Sequence, residues 1–187
     1  MRTGVLGGTF DPVHHGHLVL ARAAKEEFGL DRVIFVPAKI SPHKTGTTPS
    51  TAADRLAMIR LAVANEPGFE VCDCELRRPP PSYTVDTLRE LKSRHPQDEL
   101  HLLIGADNVA KFDTWHRPEE IARLARIVVL DRAGAGATAR DWPVVRRTIG
   151  ISSTDIRARA GCGLSIRYLT PDGVCDYITE KGLYRNA

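Results

Sequence analysis

Cysteine is scarce in this sequence: Cys72, Cys74, Cys162 and Cys175 are the four present, and no two form a C-x-x-C pair. A zinc ribbon or a disulfide framework needs denser, more regular spacing, so reduced thiols and a cytoplasmic location are expected. Long apolar runs are missing as well. The opening residues, Met1-Arg2-Thr3-Gly4-Val5-Leu6-Gly7-Gly8, are too short an apolar stretch for a signal peptide, and no later run reaches the length of a membrane span. Charge of one sign is nearly absent: 26 Lys plus Arg against 23 Asp plus Glu leaves +3. That excess predicts neither nucleic-acid nor membrane binding, and it makes any anion site a local cluster. Lysine is rare, limited to Lys25, Lys39, Lys44, Lys92, Lys111 and Lys181; the remaining twenty basic residues are arginines and read mostly as compositional bias on a solvated surface. The P-loop pattern G-x-x-x-x-G-K-[ST] and the zinc-protease pattern H-E-x-x-H are both lacking, which argues against ordinary kinases, ATPases and zinc proteases.

The sequence that is there has 42% hydrophobic and 26% charged residues over 187 positions, an ordinary globular composition with room for one core and one cleft. One domain over residues 1–187 is expected. Strand-like runs at Val5-Leu6, Val33 to Val36, Phe69 to Cys72, Leu100 to Ile104 and Ile127 to Leu130 alternate with helical spacing at Leu18 to Phe28, Leu56 to Val63, Val85 to Leu91 and Ile121 to Ala125. Helical patterns also cover Ile151 to Ala160 and Pro171 to Lys181. This alternation predicts an α/β fold with a parallel sheet. Ala38 to Ser50 reads as a surface loop long enough to suspect of function, and Ala133 to Arg140 as a Gly/Ala-rich loop.

The most informative stretch is Gly7-Gly8-Thr9-Phe10-Asp11-Pro12-Val13-His14-His15-Gly16-His17-Leu18, between the first strand and the first helix. Glycines there let backbone approach a ligand, and the helix that follows offers unpaired N–H groups and a positive dipole end to a phosphate. A helix beginning near His14 puts His14 and His17 on one side, facing the crevice at the carboxyl ends of the strands. Three roles are open to these histidines. A metal site lacks a carboxylate or thiolate at ligand spacing; a helix-cap role is open to any polar side chain at a helix start; phosphate chemistry uses both imidazoles and the glycines, and is favoured. A second candidate is Ile151-Ser152-Ser153-Thr154-Asp155-Ile156-Arg157, where Ser152 or Ser153 can cap a helix while free amides and Arg157 reach phosphate oxygens. Gly134 to Ala139 formally fits a G-x-G-x-x-[GA] dinucleotide fingerprint, but Trp142-Pro143 interrupts the helix that must follow, which demotes a dehydrogenase.

The histidine stretch resembles the H-x-G-H signature of the nucleotidyltransferase superfamily, and its GGTFDPVHHGH form is similar to bacterial nicotinate-mononucleotide adenylyltransferases. Residues 151–157 resemble that family's ISSTxIR motif, Pro42-His43-Lys44 its P-H-[KR] element, Ser82 to Leu88 its SYTxDTL segment, and Gly105-Ala106-Asp107-Asn108 with Trp115-His116 its GAD…W segment. The terminal residues from Tyr168-Leu169 to Gly182-Leu183-Tyr184 are also similar. The resemblance implies a Rossmann-like, doubly wound parallel sheet of nucleotidyltransferase type in three α/β/α layers. It implies transfer of AMP from ATP to the 5′-phosphate of nicotinate mononucleotide, giving deamido-NAD and pyrophosphate in NAD biosynthesis. ATP would lie against Gly7, Gly8, Thr9, Phe10, His14, His17, Lys44, Ile151, Ser152, Ser153 and Arg157. Of these, His14, His17, Lys44 and Arg157 would be catalytic. The mononucleotide would meet Thr84, Val85, Asp107, Asn108, Trp115 and His116, with Trp115 stacked on the pyridine ring and backbone amides on its carboxylate. Mg²⁺ is expected to arrive with ATP, held by phosphate oxygens and water, with no protein metal cage. The partners are these small molecules, without nucleic acid or membrane; a homo-oligomer is left open. The rivals are an adenylyltransferase with another acceptor, nicotinamide mononucleotide or phosphopantetheine, and a non-catalytic nucleotide-binding sensor.

Overall fold

Two apolar side-chain sets alternate along the buried strands and belong to opposite faces of one sheet, as a period of two requires. In a computed structural model, which describes residues 1–39, 49–132 and 140–185, Leu6, Phe35, Leu103 and Val128 pack on one face, while their neighbours Val5, Ile34, Leu102 and Val129 pack on the other. The strands are β1 (Arg2–Gly8), β2 (Arg32–Pro37), β3 (Phe69–Val71), β4 (Glu99–Gly105), β5 (Arg126–Asp131) and β6 (Val144–Arg146). They are all parallel, in the order β3-β2-β1-β4-β5-β6.

The helices are α1 (His15–Glu27), α2 (Ala52–Val63), α3 (Cys74–Arg77), α4 (Thr84–Arg94), α5 (Pro118–Leu124), α6 (Ser153–Gly161) and α7 (Asp172–Glu180). Apolar residues of α1, α2, α6 and α7 cover the Leu6 face, through Leu20, Met58, Ile156 and Val174 among others. Those of α4 and α5 cover the Val5 face, through Leu88, Leu91 and Ile121. The result is the expected three-layer, doubly wound α/β/α arrangement.

Gly29, at φ +57°, ends the first helical segment in a left-handed turn that its missing side chain makes easy. The chain after β1 leaves toward one face and the chain after β4 toward the other, so a crevice opens at their carboxyl ends, where open α/β sheets bind ligands. The expected helix from Ile151 starts two residues later, because Ser152 acts as its N-cap and accepts the Asp155 amide at 3.1 Å. The short elements α3 and β6 were not anticipated from periodicity, which three or four residues cannot display.

Candidate active site

The crevice is a cavity of about 1420 Å³, and its walls draw on segments far apart in sequence. From the first loop come Gly7, Gly8, Thr9, Phe10, Asp11 and His17; from α6 come Ser153 and Arg157. Thr84 at the start of α4, and Asp107, Asn108, Trp115 and His116 beyond β4, form the other side. The two expected substrate regions therefore share one space.

Local geometry explains the first loop. Phe10 takes φ +51° and folds its ring back over Gly8, where a Cβ would come within 2.9 Å of the ring. At Gly7 a Cβ would meet nothing within 4 Å, so that position is open toward the cavity. His14 is the residue before α1, not its first turn, and only 2% of it is exposed. Its ring stacks on His17 at 3.8 Å, and its amide donates to His17 Nδ1 at 3.3 Å. His17 thus lines the cavity while His14 lies behind it. Burial, reinforced by the positive charge of Arg132 and by His15, lowers the His14 pKa to about 4, so this imidazole is neutral near pH 7. Because His17 Nδ1 accepts a hydrogen bond, the neutral His17 ring carries its proton on Nε2.

At α6 the two serines divide their work. Ser152 caps the helix; the Ser153 hydroxyl donates to the Pro12 carbonyl at 3.0 Å, and Arg157 Nη1 donates to the Asp11 carbonyl at 2.7 Å. The amide-rich start of α6 is thereby held against the histidine loop. Ser152 and Ile151 flank this junction and do not line the cavity. On the opposite side, Thr84 and Val85 are the first two residues of α4, whose amides no preceding helical carbonyl can reach. The Val85 side chain is buried in the core, and of these two residues Thr84 is the one that borders the cavity. Tyr83 stacks on His116 at 4.4 Å, and Trp115 rests against Phe112 at 5.4 Å while bordering the cavity. Asp107 is exposed in a 3-10 turn (Ala106–Asn108) whose cap is Gly105, so its carboxylate is not used as a helix cap. Pro42, His43 and Lys44 lie outside the described residues, as does Gly134 to Ala139. Among the described residues, no three His, Cys, Asp or Glu side chains are grouped as a metal site.

Residues 5–159 match the cytidylyltransferase-like family. A protein of Exiguobacterium sibiricum described as a probable nicotinate-nucleotide adenylyltransferase is 45% identical over 98% of this chain and 99% of its own length. Another so described, from Citrifermentans bemidjiense, is 41% identical over the whole of both chains. The chain belongs to the nicotinate-nucleotide adenylyltransferase family. Nicotinic acid mononucleotide adenylyltransferase of Plasmodium falciparum, solved with NaAD, has the same fold, with a TM-score of 0.81 at 17% identity, covering 100% of this chain and 98% of that one. The adenylyltransferase family expected from the motifs and the doubly wound fold are therefore both established.

Four residues of this adenylyltransferase-family site had no assigned part in the sequence pattern. Asp11 is 7% exposed and accepts the Tyr184 hydroxyl at 2.8 Å and the Ser50 amide at 3.3 Å. Burial raises the Tyr184 pKa, and the adjoining Asp11 carboxylate adds to the rise. Arg55 is 1% exposed and donates to the carbonyls of Ser50, Thr9 and Ala38 at 3.1, 2.9 and 2.7 Å. Its signal was available: Arg55 occupies the apolar spacing of Met58, Ile59 and Val63, where a charge must be satisfied internally. Glu75, in the cavity wall and 7% exposed, had no such signal, because α3 is too short for a periodic pattern.

Proposed function

We propose that the chain transfers the AMP moiety of ATP to the 5′-phosphate of nicotinate mononucleotide, releasing pyrophosphate and forming deamido-NAD. The observation that carries this reading is the shared cavity: the histidine loop and the α6 start, both suited to phosphates, face the same space as Trp115 and the free amides of α4. An oxygen of the acceptor phosphate attacks the α-phosphorus, the new P–O bond forms, and the bond to the β-phosphate oxygen breaks. No protein nucleophile is needed; catalysis is alignment and charge stabilisation.

The proton on His17 Nε2 is offered to a phosphate oxygen, and neutral His14 backs the ring by stacking. Arg157 and Lys44 receive negative charge that develops toward the leaving pyrophosphate, and the amides from Gly7 to Phe10 and at Ser153 supply further donors. Trp115 stacks on the pyridine ring, the amides of Thr84, Val85 and His116 receive its carboxylate, and Asp107 with Asn108 accepts and donates at the ribose. Mg²⁺ arriving with ATP would be held by phosphate oxygens and water and would supply charge neutralisation at the triphosphate. The substrates are small molecules, and no described helix is long and apolar enough to cross a membrane.

The test is pyrophosphate release from ATP with nicotinate mononucleotide, nicotinamide mononucleotide and phosphopantetheine supplied separately. Turnover fastest with nicotinate mononucleotide is expected. Equal or faster turnover with another acceptor would reassign the substrate, and no turnover with any of them would indicate a nucleotide sensor.

A further inference from the structure

We propose that Glu75 is a positioning residue for the acceptor: it ends a hydrogen-bond chain, from Arg78 through Thr87, that grips the first turn of α4 and holds its opening amides toward the pyridine carboxylate. The directions of these bonds follow from which groups can only donate. Arg78 Nη2 lies 2.6 Å from Thr87 Oγ1, and a guanidinium has no acceptor, so Thr87 accepts. The single Thr87 proton is then available to Glu75 Oε1, also at 2.6 Å, in preference to the Tyr83 carbonyl at 3.5 Å. Ser82 borders the cavity beside this chain, and its hydroxyl accepts the Lys39 amide at 3.0 Å. The Lys39 ammonium donates to the Arg78 carbonyl at 3.0 Å, which ties Ser82 to the head of the chain.

The placement of Thr87 gives this arrangement its consequence. Tyr83 is the N-cap of α4, and Thr87 is the fourth residue of that helix. Glu75 therefore anchors the first turn at its carboxyl side. Thr84 and Val85 lie between the N-cap and that anchor, and Tyr83 stacks on His116 at 4.4 Å. Ser82, Thr87 and Glu75 are 8%, 2% and 7% exposed, yet all three border the cavity. The Thr87 hydroxyl directs its proton to Glu75, so it is not left to donate to a ligand. The body of α4 does not depend on this anchor, because Val85, Leu88 and Leu91 pack it into the core. Burial raises the Glu75 pKa against the opposing hydroxyl donors, which makes those bonds necessary to a carboxylate in this wall.

This proposal rests on the acceptor assignment made above, and native turnover of nicotinate mononucleotide is its control. Absence of that turnover would overturn both. With it present, Glu75→Ala is expected to raise KM for nicotinate mononucleotide about tenfold, the loss of roughly one charged hydrogen bond, with kcat and KM for ATP within about threefold of native. Glu75→Gln, which keeps one acceptor oxygen, is expected to fall between the two. Should Glu75→Ala fail to fold, Thr87→Val cuts the same chain and carries the same expectation at smaller size. A parallel rise in KM for both substrates, or an unchanged KM for the mononucleotide in the folded variants, would overturn the positioning role.

Discussion

A neutral histidine whose Nδ1 accepts a backbone amide has one tautomer, and under the proposed reaction the remaining proton of His17, on Nε2, is the one that meets phosphate. Removing it would take away a fixed donor at the proposed reacting centre, a loss worth on the order of 10²- to 10³-fold in rate for comparable preorganised donors. His17→Ala is accordingly expected to reduce kcat for deamido-NAD synthesis by about that factor while the fold, followed by circular dichroism, stays intact. Near-native kcat would remove His17 from the chemistry. The neighbouring ring differs in kind. His14 does not border the cavity, and its effect on the reaction passes through the 3.8 Å stack and the amide that orders His17. For Trp115, at the far wall, truncation to Ala should raise the apparent KM of the mononucleotide more than it changes kcat; an unmoved KM would assign the indole to packing against Phe112 alone.

Elements come together at the site through backbone carbonyls more than through side-chain pairs. Arg55 of α2 ties the first loop at Thr9 to Ala38, just past β2, and to Ser50. Burial lowers the Arg55 pKa, opposed by the Asp11 carboxylate, so the charge is tolerated because the carbonyls and Asp11 face it. Arg55→Met should leave those carbonyls without donors and cost about 3 kcal/mol or more of stability, read as a lower urea midpoint at unchanged m. A loss under about 1 kcal/mol would mean that water replaces the guanidinium. Elements of this size were legible in the sequence where their periodicity was long. The buried runs at Val33 to Val36 and Leu100 to Ile104 and the helices marked by Leu56 to Val63 and Val85 to Leu91 all lie within observed elements. Motif residues such as His17, Arg157, Asp107 and Trp115 border one cavity, whereas His14, Ile151, Ser152 and Val85 do not. Legibility failed where a role depends on what is opposite in space. Nothing in Cys74-Glu75-Leu76-Arg77 announces that Thr87 will donate to Glu75, and a serine pair cannot reveal that Ser152 is spent as a cap while Ser153 joins the loop at Pro12.

For the molecule as a whole, acid sensitivity should arrive in two windows. A folded His14 with its pKa lowered to about 4 binds fewer protons than the unfolded chain, so stability falls as pH drops from about 6.5 to about 4 and then stops falling on its account. The contribution is about 3 kcal/mol, and His14→Gln should remove it from the stability difference between pH 7 and pH 4, measured by urea titration. An equal difference in native and variant proteins would dismiss His14 as the source. At Asp98 burial alone would raise the pKa, but hydrogen bonds from Thr3, Arg32 and the terminal amine outweigh it and bring it down to about 2. Its stabilisation is complete above the ordinary carboxylate range and is lost as pH falls toward 2, a second window below the first.

The contacts between the two ends of the chain also bear on how it is made. The Asp11, Pro12 and Val13 carbonyls accept from Arg157, Ser153 and Thr170. Those donors lie 141 to 157 residues further along the chain, so during synthesis this loop waits for them. Pairing between β1 and β2 needs only the residues up to Pro37. Order of translation thus separates a sheet pairing that can form early from a clasp on the first loop that closes much later, so nascent chains would acquire structure ahead of the finished crevice.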